Sequence, residues 1–172
     1  VSNDLGCFYF VDEDGGLFKY ITSTSQLEQI ALDRIYPPPK QMIMGADNQL
    51  LFHDGHYLHS IDLVTTTIKR ETEIILPIST IAYHKATDKT FISTSSDGRI
   101  YSLQPHRKIP SIYLEPMSAN GSVISINNNE NMLYYTKNDI RDTTIYKHDL
   151  ITEESTVITV LYNIQKVLDI TF

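Results

Sequence analysis

Three histidines stand within seven residues in the segment LLFHDGHYLHSIDL, which runs from Leu50 to Leu63. Imidazole nitrogens bind zinc, copper and nickel, so His53, His56 and His59 raise the question of a metal site. The Asp54-Gly55 dipeptide between two β-type runs predicts a hairpin with a two-residue turn. That turn would set His53 directly opposite His56, while His59 would point to the other face of the strand pair.

The predicted histidine pair is not a complete metal site. Zinc takes four ligands, and Asp54 in the turn is the nearby candidate for a third. Asp12 and Asp14 of VDEDGG begin like a calcium loop, but no glutamate follows at the required spacing. We therefore predict no bound metal or other cofactor, with calcium as the one ion left open. The weak candidates for metal ligands are His53, His56 and Asp169.

A repeat along the chain suggests which elements position these residues. Four segments share a β-rich run, a polar turn and a second alternating run: CFYFVDEDGGLFKYI, LLFHDGHYLHSID, TFISTSSDGRIYSLQ and MLYYTKNDIRDTTIYKHD. Their anchors Leu17, Leu58, Ile100 and Ile145 lie 41, 42 and 45 residues apart. A further apolar run follows each segment, and another precedes each segment except the first. Four short strands in about 40–45 residues are typical of a β-propeller blade.

The ends of the chain complete this pattern. The first segment has no apolar run before it, and KVLDITF at the end has no partner run after it. We therefore predict an all-β fold, a β-propeller of four four-stranded antiparallel blades, in which the C-terminal strand closes the first blade. The alternative is a part of a larger propeller. The predicted single domain, 1–172, has blades at 166–172 plus 1–33, 40–74, 79–115 and 122–162.

Composition excludes some partners. With a net charge of −7, and His106-Arg107-Lys108 as its basic cluster, the chain lacks the basic stripe that binds nucleic acid. No apolar run approaches the length of a membrane span. Cys7 is the sole cysteine, which rules out an internal disulfide. Asn120-Gly121-Ser122 is an acceptor sequence for N-glycosylation, and the first residue is not Met. Both features favour a secreted protein, and the compartment is left open.

The unit MLYYTKNDIRDTTIYKHDLITEEST resembles the repeats of YWTD and gluconolactonase-like propellers. In those repeats a Leu-Tyr-Trp/Tyr-Thr strand is followed by a turn, an Ile-Tyr strand and an Asp-Leu-x-Thr bend. GHYLHSIDLVTTT carries the second half of the pattern, whereas Lys137 stands where the YWTD version has Asp. The resemblance implies the propeller fold, and a fold alone does not assign a function.

We expect a non-enzymatic binding module that uses the loop face of the propeller to bind a protein or a small molecule. In such propellers the turns between second and third strands share a face with the links between blades, including YPPPK. The predicted contact residues on that face are Tyr36, His53, His56, Asn138 and Arg141.

One alternative is a metal-dependent hydrolase that uses Asp169, Asn127 and His84. A second is a lectin, in which a tyrosine such as Tyr36 would stack on sugar because the chain has no Trp. The oligomeric state is not predicted.

Overall fold

The computed structural model describes residues 2–4, 6–30, 33–115, 122–164, 167 and 170, with the backbone alone at 2–4. Within these residues sixteen strands form four antiparallel sheets of four strands each. The chain divides into two compact units, Val1–Ile75 and Leu76–Phe172, and each unit contains two of the sheets. The predicted all-β fold with four-stranded antiparallel blades is confirmed.

In the first unit, one sheet contains β1 (Ser2–Asp4), β2 (Cys7–Val11), β3 (Leu17–Ile21) and β4 (Gln26–Ile30), and its order follows the chain. The second sheet contains β5 (Gln41–Met44), β6 (Gln49–His53), β7 (Leu58–Asp62) and β8 (Thr67–Arg70) in the same manner. The first strands of the two sheets, β1 and β5, lie side by side.

In the second unit, one sheet contains β9 (Ile78–His84), β10 (Lys89–Thr94), β11 (Ile100–Leu103) and β12 (Ser111–Leu114). A short 3₁₀ turn, Lys85–Thr87, joins β9 to β10. The last sheet contains β13 (Ile124–Asn127), β14 (Met132–Asn138), β15 (Asp142–Asp149) and β16 (Ser155–Tyr162). Here β9 lies beside β13.

The alternating apolar residues explain why the sheets stack in pairs. Side chains alternate between the faces of a strand, so every second residue of each blade is available to a core. In the first unit the core between the sheets consists of Tyr9, Leu17, Ile35, Met42, Leu50, Phe52 and Ile61. In the second unit it consists of Ala82, Phe91, Ile100, Ile124, Leu133 and Tyr135. Burying each Leu, Ile or Phe contributes about 1.5–3 kcal/mol.

One detail of the predicted first blade requires correction. We expected the apolar run in 166–172 to supply its first strand because no apolar run precedes the first segment. The structure gives that position to β1, whose Asn3 pairs with Phe8 and Asp4 with Cys7. Backbone groups form these pairs, so they need no apolar side chain. Most of 166–172 lies outside the described residues, so the rest of the closure prediction stays a prediction.

The strand bounds lie near the ranges predicted for the other three blades. The strands of the second, third and fourth sheets span Gln41–Arg70, Ile78–Leu114 and Ile124–Tyr162, against predicted ranges of 40–74, 79–115 and 122–162. The Ser25–Ile35 stretch, which has some helical periodicity, contains the strand Gln26–Ile30. Cys7 begins β2 and is half-buried.

Candidate functional site

The hairpin between β6 and β7 turns one residue later than the sequence suggested. His53 pairs with Leu58, and the Asp54 amide donates to the Tyr57 carbonyl at 3.3 Å. The two central residues are therefore Gly55 and His56, and Gly55 takes the positive φ of 105° that suits a residue without Cβ. The predicted face-to-face pair of His53 and His56 is wrong, because His56 lies within the turn.

The Asp54 carboxylate holds this turn together. Its Oδ1 accepts hydrogen bonds from the amides of His56 and Tyr57 at 2.7 and 2.8 Å, and its Oδ2 lies 3.1 Å from His59 Nε2. Burial raises the pKa of Asp54, but the two amide hydrogen bonds and His59 outweigh burial and leave the pKa below its usual value. Asp54 is thus a turn cap, not a free metal ligand.

His59 belongs to a packed group on the same hairpin. Its ring stacks on Phe52 with the ring centroids 4.8 Å apart, and it meets the edge of Tyr57. The guanidinium of Arg70 lies 4.8 Å from the centroid of Tyr57, at the distance of a cation–π contact. His59 therefore has a structural role.

His53 is buried without a hydrogen bond. Its side chain is 1% exposed, and neither ring nitrogen has a partner among the described residues. The pKa of His53 is lowered to about 4, chiefly by burial and then by the nearby Lys40, while Asp54 acts in the opposite direction. The ring is therefore neutral near pH 7. The three histidines occupy three different environments, and the described residues contain no cluster of three metal-ligating side chains.

The linker that enters the second sheet forms a pocket beside this hairpin. The Lys40 amide donates to the His53 carbonyl at 2.8 Å, which ties the linker to the end of β6. The Lys40 side chain lies against Gly55, where an added Cβ would be 2.5 Å from Nζ. A cavity of about 210 Å³ lies between β2 and the linker, lined by Phe10, Val11, Pro38, Pro39, Lys40, Gln41 and Met42. We call it the linker pocket.

The linker pocket combines apolar walls with one cation. Phe10 is 37% exposed and stacks on Phe18 with centroids 5.5 Å apart, which fixes its ring. Lys40 is exposed and forms no recorded ion pair with a described residue. The sequence pointed to this region through its three consecutive prolines, but Phe10 and Lys40 were not predicted as contact residues.

The predicted contact residues differ in accessibility. Tyr36, which precedes the linker pocket in the chain, is 90% exposed, and His56 is exposed in the turn. In the second unit Arg141 is exposed, but Asn138 is 1% exposed and its Oδ1 accepts a hydrogen bond from Thr143 at 3.0 Å. His53 and Asn138 are therefore inaccessible in this state, while Tyr36, His56 and Arg141 stay predicted contacts.

The residues of the hydrolase alternative have local partners. His84 is buried, with Nδ1 2.8 Å from Thr87 Oγ1 and Nε2 3.0 Å from Asn131 Oδ1. Asn127 Oδ1 accepts from the Asn129 amide at 3.1 Å. Asp169 and the predicted acceptor Asn120 lie outside the described residues. His84 and Asn127 thus give the hydrolase alternative no support.

The acidic turn of the first sheet is explained by its own backbone. Asp12 Oδ1 accepts a hydrogen bond from the Gly16 amide at 2.7 Å, and the Gly15 amide donates to the Asp12 carbonyl at 3.1 Å. Asp14 is exposed. The Asp12 carboxylate therefore shapes the turn, which is the commoner role of Asp at such a position.

Comparison with solved structures places the fold in the β-propeller class. A chain of a nidogen/laminin complex is similar over 90% of this chain, with 13% identity and a TM-score of 0.69. TolB from Acinetobacter baumannii is similar over 92% (14% identity, TM-score 0.66), and the tricorn protease over 94% (12% identity, TM-score 0.62). The chain spans 62%, 42% and 18% of those three chains, respectively.

No protein-family model and no curated protein matches the sequence. At these identities the structural likeness establishes the fold alone. The predicted resemblance to propeller repeats is confirmed at that level. Among the described residues, no helix has the length and apolar character needed to cross a membrane.

Proposed function

We propose that the protein is a binding module and that the linker pocket of its first unit receives an apolar group of a protein or small-molecule ligand. The observation that carries this proposal is the pocket itself, an open cavity of about 210 Å³ walled by Phe10, Val11 and two prolines. Ligand pockets are mostly apolar, with a few polar groups that set orientation. Here those groups are Lys40 and Gln41.

The charge at the pocket indicates the chemistry of the ligand. Lys40 is the cation among the lining residues, and none of the described lining residues carries a carboxylate. An aromatic or aliphatic group attached to a carboxylate would place its apolar part against Phe10 and the prolines and its charge beside Lys40. Tyr36, exposed and two residues before Pro38, would extend the contact for a larger ligand.

Benzoate and its neutral analogue benzamide are simple probes of this proposal. Binding is followed by two-dimensional NMR on labelled protein. We expect benzoate to shift the signals of the linker and of Phe10, and benzamide to bind more weakly. Phe10→Ala and Lys40→Met should each weaken benzoate binding, whereas Lys85→Met, which removes an exposed lysine of the second unit, should not.

Equal shifts from benzoate and benzamide would contradict the role of Lys40. Shifts that stay outside the linker and β2 in the wild-type protein, or that persist in both pocket variants, would contradict the site. The hydrolase alternative predicts instead that calcium raises the melting temperature by several degrees, because a tightly held ion stabilises the folded state.

A further inference from the structure

The outermost strand of the last sheet is a long, uncharged edge. β16 (Ser155–Tyr162) has eight residues, none of them charged, in the sequence STVITVLY. It pairs with β15 on one side, and its other edge has no strand partner among the described residues. Val157, Ile158 and Tyr162 are 56%, 49% and 73% exposed. Such an edge offers unpaired amides and carbonyls on alternate residues to another strand.

The other outermost strands are protected in the usual ways. β8 has four residues, of which Lys69 and Arg70 are charged, and β4 has five residues and contains Glu28. β12 has four residues. Short edges and edge charges discourage pairing between molecules. Among these four outermost strands, β16 is therefore the one that is both long and uncharged.

β16 is not uniform along its length. Its pairing with β15 shifts between Ile145 and Tyr146, so that Ile158 has no counterpart and forms a bulge. A bulge bends an edge locally. Thr159–Tyr162 lies beyond the bulge and pairs with β15 without interruption.

Charged side chains lie at both ends of β16. Glu153 and Glu154 immediately precede the strand and are exposed. At the other end Tyr162 pairs with Asp142, whose Oδ1 accepts a hydrogen bond from the Asn163 amide at 3.1 Å, and the exposed Arg141 lies just before β15. No ion pair of Arg141, Glu153 or Glu154 is recorded with any residue in the described part of the chain.

We propose that two copies of this chain associate by antiparallel pairing of their β16 strands about a two-fold axis. An antiparallel copy brings its Glu153 and Glu154 to the end where Arg141 lies. Adjacent strands are about 4.8 Å apart, so Arg141 is roughly 10 Å from the partner backbone, within the combined reach of the two side chains. The two-fold axis relates the two ends of the interface, so the same ion pair forms at each end. The Glu153 and Glu154 residues of one copy then lie far from those of the other.

A second copy fits these observations better than an unrelated peptide. The occupant must be extended, apolar and uncharged in its middle, with acidic residues at the end that meets Arg141. β16 with Glu153 and Glu154 has these properties itself. The pairing uses residues of the second unit alone and is independent of the linker pocket.

Sedimentation velocity and light scattering of the 172-residue chain test the proposal. We expect the mass to rise from 19.7 kDa towards twice that value between micromolar and millimolar protein. Arg141→Glu and the double variant Glu153→Arg/Glu154→Arg should each weaken association by roughly tenfold, because each exposed ion pair occurs twice. The triple variant should restore association, because the charges are then exchanged.

Lys69→Glu in β8 is the matched control, since it makes the same charge change on another outermost strand. It should leave association unchanged. In a Cys7→Ser background, Thr159→Cys near the axis should form a disulfide-linked dimer on oxidation, and Thr67→Cys in β8 should not. A monomer at every concentration, assemblies larger than a dimer, or a dimer indifferent to the Arg141 and Glu153/Glu154 reversals would overturn the proposal.

Discussion

The same position of the repeat is filled in two different ways in the two units. The residue of the second strand that pairs with the anchor is Ser93 in the third sheet, Thr136 in the fourth and His53 in the second. All three are buried. Ser93 Oγ donates to the Ser122 carbonyl at 2.6 Å and accepts from the Thr80 amide, and Thr136 Oγ1 accepts from the Val123 amide at 3.0 Å. Neither nitrogen of His53 has a hydrogen-bond partner in the described part of the chain.

Ser93 and Thr136 therefore stabilise the fold, whereas stability does not explain why His53 is buried. The hydroxyls in the second unit bond backbone groups of β9 and of the residues just before β13, so the fold uses them. The imidazole of His53 satisfies no group and must stay neutral to remain buried, which costs free energy. The equivalent residue of the first sheet, Val11, avoids this cost because it is apolar. His53 also lies beside Lys40 of the linker pocket, so its presence is better explained by that region than by packing.

The largest expected effect concerns the pH dependence of stability. The unfolded chain binds a proton at His53 with a pKa near 6.5, whereas the folded chain does so only near 4. Lowering the pH from 7 to 4 therefore favours the unfolded chain, by on the order of 3 kcal/mol from this residue. We expect His53→Leu to remove that loss, measured as the difference between urea unfolding curves of the two proteins across this pH range.

At pH 7 the same variant should match or exceed the wild-type stability, because an apolar side chain leaves no unpaired nitrogen. Equal pH dependence in the two proteins would mean that His53 is solvated or hydrogen-bonded in solution. It would also remove the contrast with Ser93 and Thr136. His148, whose pKa burial also lowers, acts in the same direction but cancels in the difference.

Smaller effects on stability are expected at Ser93 and Thr136. Ser93→Ala removes the hydroxyl that joins Thr80 to the Ser122 carbonyl and leaves buried backbone groups unpaired. We expect a loss of about 2 kcal/mol in the free energy of unfolding. Thr136→Val keeps the shape and removes one bond, so about 1 kcal/mol is expected. Urea unfolding at pH 7 measures both, and unchanged midpoints would contradict a structural role for these hydroxyls.

The blades were predictable because they depend on local patterns. The anchors Leu17, Leu58 and Ile100 are at most 2% exposed, and each lies where its strand pairs with the preceding one. β1 was missed because a three-residue strand held by backbone bonds leaves little trace in side-chain pattern. A strand of that kind becomes visible only when the sheet that it joins is known.

The candidate site was less predictable. The Asp54-Gly55 pair suggested a turn with these two residues at its centre. The Asp54 carboxylate instead caps the amides of His56 and Tyr57, so Asp54 precedes the central residues of the turn. The linker pocket depends on segments far apart in sequence, because Phe10 lines the same cavity as Pro38 and Pro39. Spacing along the chain does not encode such contacts.

The smallest effects are expected within the β6–β7 hairpin, where Asp54 and His56 form a matched pair. Asp54→Ala removes the acceptor of two amides and the partner of His59, so a loss of about 1 kcal/mol in the free energy of unfolding is expected. His56→Ala should change the free energy by less than about 0.5 kcal/mol, because the ring is exposed and only its backbone amide is bonded. The reverse order, with His56 the more costly to replace, would show that its ring has a partner in solution and would reopen the question of a metal at this turn. Repeating the measurement of His56→Ala with zinc present separates those outcomes, since a bound ion would stabilise the wild-type protein and not the variant.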